Sequence, residues 1–166
     1  MKTLNLLLLT FVMMMSACSH SDMGSVKKAE PSQTANGAAE ILQSWQGDYP
    51  VSQLKLLPEK QRKQGVGFIL NAKIFEGVWK AFSPGKGVPE IDFKTSLVLF
   101  ARNTRFYNRI SIGKVDVKKG VAEVLAMETM SAMPIEERVA MSIVVISRKG
   151  ITGLKTGSGI TSIPNL

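Results

Sequence analysis

Apolar and polar positions change rhythm several times along this chain, and each change predicts an element. VSQLKLL, residues 51–57, alternates in part and predicts a first strand, closed by the polar stretch PEKQRKQG. VGFILNA, residues 66–72, predicts a second. In KIFEGVWKAF, residues 73–82, Ile74, Val78 and Phe82 recur at helical spacing with Phe75 and Trp79 beside them. That spacing gives a short helix one apolar face. The Pro and Gly residues of SPGKGVPE, residues 83–90, end it.

Beyond residue 95 the pattern is that of strands with closely spaced turns. SLVLFA (96–101) is a continuous apolar run, as a buried strand requires. RISIGKVDV (109–117) alternates through Ile110 and Ile112, slips at Gly113, and resumes at Val115 and Val117, which marks a bulge. VAEVLAME (121–128), VAMSIVVIS (139–147) and ITGLKT (151–156) follow, and the tail GSGITSIPNL has room for an edge strand. The tips KKG (118–120) and RKG (148–150) both predict hairpins. The expected fold is α+β: a mainly antiparallel sheet of about five to seven strands with one short covering helix. It occupies residues 44–166 as a single domain.

The chain before residue 44 has a different character. Lys2 precedes an apolar stretch over residues 4–15, interrupted only by Asn5 and Thr10, and small residues follow. Spanning a bilayer takes about 20 apolar residues, so residues 1–17 are expected to be a removable export signal. The tetrapeptide Met15-Ser16-Ala17-Cys18 resembles the lipobox of bacterial lipoproteins. That resemblance implies cleavage before Cys18, a diacylglyceryl thioether on its sulfur and a fatty acyl group, such as palmitate, on the new amino terminus. Several acyl chains together make a stable membrane anchor. Ser19 stands where an inner-membrane retention signal places Asp, which implies an outer-membrane address facing the periplasm. Residues 18–43 are rich in Ser, Ala, Gly, Gln and Lys without apolar periodicity. They are expected to form a flexible tether.

These expectations restrict the available chemistry. The chain has one cysteine, Cys18, and one histidine, His20. With Cys18 acylated and His20 in the tether, neither a catalytic thiol nor a Ser-His pair remains for the domain. A zinc site, which needs three or four such ligands, is not expected either. The carboxylates Glu76, Glu90, Asp92, Asp116, Glu123, Glu128, Glu136 and Glu137 have no spacing that ligates a cation. GLKTGSG (153–159) lacks the Gly-Lys-Ser/Thr ending and the following helix of a phosphate loop. No cofactor, no metal and no catalysis are expected. The excess of 21 Lys and Arg over 13 Asp and Glu, net +8, favours anionic neighbours. For an exported, anchored chain those are lipid headgroups, glycolipids or acidic protein patches, with nucleic acid excluded.

Pro89 to Val98, in VPEIDFKTSLVLFA, is similar to a stretch of small exported bacterial domains of the PrcB C-terminal, protease-complex-associated type. The likeness covers residues 66–156: the helix with Trp79, Asp92-Phe93, then several strands. The family's Gly-Gly-Tyr turn is replaced here by RNTRFYNRI, and its Ser-Pro-Tyr segment by MPIEERVAMSIVVI. The resemblance implies the same fold class and a binding module; it carries over no catalytic residue. Asp92 is expected to brace the turn before the strand while Phe93 packs inward. The candidate partner-binding residues lie in ARNTRFYNR (101–109): Arg102, Arg105, Tyr107 and Arg109, around Phe106. Guanidinium groups bind carboxylates and phosphates bidentately, and aromatics offer rigid contact area. Together the readings point to an envelope protein that binds another protein, with an anionic glycolipid or glycan as the alternative ligand.

Overall fold

The computed structural model describes residues 34–129 and 133–164. The expected export signal, Cys18, His20 and the first part of the expected tether lie outside them. In chain order the elements are β1 (Gly37–Ala38), β2 (Ile41–Pro50), β3 (Val66–Ile69), α1 (Ala72–Phe82), β4 (Ser96–Arg102) and β5 (Ile110–Lys118). β6 (Val121–Glu128), β7 (Arg138–Ser147), β8 (Gly153–Thr156) and β9 (Gly159–Ser162) complete them. The fold is α+β with one short helix. Its strands form two sheets, where a single one was expected, in the orders β1-β5-β6-β8-β9 and β2-β7-β4-β3. Every pairing is antiparallel except that of β6 with β8.

Burial explains why β4 and β7 read as continuous apolar runs. Leu97, Leu99, Val144 and Ile146 face the other sheet, where they meet Ile110, Ile112, Val115, Val117 and Leu154. The alternate residues Val98, Phe100, Met141, Ile143 and Val145 face Phe75, Val78, Trp79 and Phe82 of α1. The second sheet is therefore sandwiched between the first and the helix, and its central strands have no polar side. β5 keeps its inward face despite the slip in its alternation, because the register shifts between Ile112 and Lys114 around Gly113. Buried Ser142 links the layers: its hydroxyl accepts the Ile112 N–H at 3.1 Å and donates to the Trp45 carbonyl at 3.3 Å.

The helix begins at Asn71, whose side-chain oxygen accepts the Ile74 N–H at 2.8 Å. It stops at Ser83, and the Trp79 indole N–H donates to the Gly87 carbonyl at 2.8 Å, tying the exit loop down. Asp92 braces its turn as expected, accepting from the Lys94 N–H at 2.9 Å and the Thr95 hydroxyl at 2.9 Å. Those two hydrogen bonds hold its carboxyl below the usual range. Phe93 is half-buried against the ring of Phe75, with centroids 6.0 Å apart.

Three elements differ from the pattern-based expectation. Residues 51–57 are not a strand; Val51–Leu56 is a 3₁₀ segment between Pro50 and Pro58. Its Val51, Leu54 and Leu57 recur every third residue, and a three-residue turn puts all of them against the helix layer. The RKG tip closes no hairpin. It takes the chain from β7 in one sheet to β8 in the other, because Ile151 is drawn into the core between the sheets. The folded body also starts earlier than residue 44, since β1 pairs with β5 and β2 begins at Ile41. By contrast KKG is a true two-residue hairpin: Lys119 and Gly120 both have positive φ, 50° and 76°, the type I′ geometry that matches strand twist.

Candidate functional site

The loop between β4 and β5 lies at one end of the molecule. Four backbone and side-chain bonds hold it there. The Tyr107 hydroxyl donates to Asp48 Oδ1 of β2 at 2.6 Å, and the Tyr107 N–H donates to the Met133 carbonyl at 2.9 Å. The Arg109 N–H donates to the Thr129 hydroxyl at 3.1 Å, and the Thr129 N–H returns to the Arg109 carbonyl at 3.0 Å. Phe106 bridges to Pro134. The phenol of Tyr107 is pushed above its usual range, chiefly by donating to the Asp48 carboxylate, with burial and the Asp48 charge adding to it.

The four residues singled out from the sequence divide into two groups. Arg102 is buried, with its backbone N–H donating to the Gly65 carbonyl at 2.7 Å. Its guanidinium donates to the Asn103 carbonyl at 3.1 Å and also to the Arg62 carbonyl. Desolvation lowers its pKa, yet an arginine stays charged. Arg102 therefore ties the end of β4 to the loop before β3 and does not face a ligand with the others. Arg105 and Arg109 are exposed. Neither forms an ion pair among the described residues; the ion pairs found there join Lys80 to Glu76, Lys114 to Asp116 and Lys155 to Glu123. Tyr107 stands between them, its hydroxyl committed to Asp48.

Beside Tyr107 and Arg109 runs a shallow groove in three adjoining sections, none of them lined by Arg105. One, of about 380 Å³, lies between Gln46, Asp48, Tyr107 and Arg109. A second, of about 350 Å³, lies on the other side of Tyr107, bounded by Met133, Pro134, Glu136 and Arg138. A third, of about 300 Å³, continues from Gln46 and Arg109 to Met127 and Glu128. Phe106, Met133 and Met127 are each at least half exposed at this end. Sequence reading missed Gln46, Asp48, Met127, Met133 and Arg138. They come from β2, from the end of β6, from the segment before β7 and from the first residue of β7, far apart in the chain, and no local spacing signals them.

This arrangement suits recognition. Guanidinium groups without an ion-pair partner among the described residues, beside exposed apolar side chains, can hold a carboxylate or phosphate while burying apolar surface. Among the described residues no three His, Cys, Asp or Glu side chains converge to hold a metal ion. The GLKTGSG stretch is the β8–β9 hairpin, with no helix after it. No helix among the described residues is long and apolar enough to cross a membrane. No family model, curated protein or solved structure matches the chain.

Proposed function

We propose that this chain is a lipid-anchored cell-envelope protein whose α+β domain is a non-catalytic protein-interaction module. The observation that carries the reading is the groove beside Tyr107 and Arg109: Arg109 and the nearby Arg105 have no ion-pair partner among the described residues, Phe106 is exposed, and Tyr107 is locked to Asp48. A rigid, partly apolar surface with free guanidinium groups fits an acidic segment of a protein partner. The anchor is Cys18, after the lipobox-like MSA, and the address is the outer membrane facing the periplasm. The likeness of residues 66–156 to PrcB C-terminal domains supports a binding role.

A second reading draws on the net charge of +8: the same surface binds an anionic envelope glycolipid or glycan. Titration of the purified protein against envelope proteins and against lipopolysaccharide vesicles, at low and high salt, tests both. The interaction-module reading expects saturable protein binding that weakens about 10-fold or more with Arg105→Ala or Arg109→Ala, and moderately with salt. Binding to vesicles alone, abolished by salt, supports the glycolipid instead.

A further inference from the structure

The outer edge of β6 is largely unpaired. β8 bonds to it only at Val121 and Ala122, so residues 124–128 have no strand neighbour on that side among the described residues. The parity of the strand identifies which backbone groups are open. The Gly120 carbonyl accepts the Thr152 and Gly153 N–H groups of the segment entering β8. Even-numbered residues of β6 therefore point away from β5, and odd-numbered ones point toward it. The N–H and C=O groups of Val124, Ala126 and Glu128 face outward with no backbone partner among the described residues.

The open stretch is symmetric about Ala126, and so are its side chains. On the solvent face of this sheet Leu125 is 43% exposed and Met127 67% exposed. An edge of this kind is a template for another strand. In an antiparallel pairing of two copies about a two-fold axis at Ala126, Val124 of each copy meets Glu128 of the other. Leu125 of each then meets Met127 of the other, in a non-hydrogen-bonded pair with Cα atoms about 4.5 Å apart. Both apolar side chains are covered by their counterparts, and no like charges are opposed within residues 124–128.

We propose that the chain forms a homodimer by antiparallel β6–β6 pairing centred on Ala126, making one continuous sheet across two copies. The isologous register follows from the strand's own sequence, as a closed two-fold interface requires. It places the Met127 ends of the two binding grooves on the same joined sheet. Attachment of both copies to one membrane raises their effective concentration and favours the pair.

The full-length protein carrying Ala126→Cys, oxidised in intact membranes, tests the register, with the unsubstituted protein controlling for Cys18. Hydrogen-bonded Cα atoms about 5.5 Å apart across the axis permit a disulfide. The pairing predicts a species of twice the mature protein's own mass from Ala126→Cys. It predicts none from Leu125→Cys alone, and one again when Leu125→Cys and Met127→Cys chains are co-expressed. Leu125→Lys with Met127→Lys, exposed changes that leave the core intact, should weaken dimerisation at least 10-fold by sedimentation while far-UV dichroism is unchanged. A monomer at all concentrations, equal crosslinking at residue 125, or crosslinking of residue 126 only to a different protein overturns the proposal.

Discussion

The Tyr107 hydroxyl and Asp48 Oδ1 meet at 2.6 Å, joining a loop between two sheets to the edge strand β2. That bond spans 59 positions of sequence and fixes the orientation of the loop that carries Arg105 and Phe106. Tyr107→Phe or Asp48→Asn should each cost about 1 kcal/mol of stability. A double-mutant cycle in urea should show the two changes to be non-additive, since Phe has no hydroxyl to donate and Asn accepts the same bond without its charge. Asp48→Asn should also return the Tyr107 phenol toward its ordinary value near 10, readable by ultraviolet pH titration.

Alkaline pH should weaken the fold through a second tyrosine. Burial pushes the Tyr49 phenol up to about 12, whereas an unfolded chain releases that proton near 10. Its contribution is fully present below about pH 10. Above that the unfolded state binds fewer protons, so stability falls until about pH 12, by at most about 3 kcal/mol. Urea midpoints measured from about pH 9 to 11 should fall, and Tyr49→Phe should make that fall shallower.

Gly67 has no room for a side chain. A Cβ there would overlap the ring of Phe100 and Gln61 Oε1, the same atom that accepts the Phe68 N–H at 2.5 Å. Gly67→Ala should destabilise by about 1–3 kcal/mol, whereas Gly77→Ala, at an open helical position, should stabilise by up to about 1 kcal/mol. Thermal unfolding of the two variants should shift in opposite directions.

Anchoring makes its own prediction. Cys18→Ala should leave the signal uncleaved or the protein free of the membrane, and the mature wild type should weigh more than its polypeptide by the mass of its acyl chains. Mass spectrometry of membrane and soluble fractions reads both. An unmodified Cys18 at or within the mature chain would contradict the lipid anchor.

Much of the layered core could be read from the chain, because burial on two faces writes β4 and β7 as unbroken apolar runs and the α1 face repeats at helical spacing. The Gly113 bulge was legible as a slip in alternation. β2 was not: as an edge strand it buries Tyr49 and half-buries Trp45, and its exposed Gln43, Ser44 and Gln46 hide the period. The split into two sheets was also hidden, since RKG resembles KKG locally and only the burial of Ile151 separates their roles. Within the candidate site, Arg105, Tyr107 and Arg109 came from composition of one loop. The same composition could not show that Arg102 spends its guanidinium on backbone carbonyls, nor that Asp48 completes the site.

The most direct test of the binding role is a photo-crosslinking residue at position 106, exposed and outside both cores, in intact cells. A protein-interaction module predicts one predominant envelope-protein adduct that is lost with Arg105→Ala and Arg109→Ala while protein levels are unchanged. Adducts only to lipid or glycan, or a protein adduct indifferent to both arginines, would contradict it.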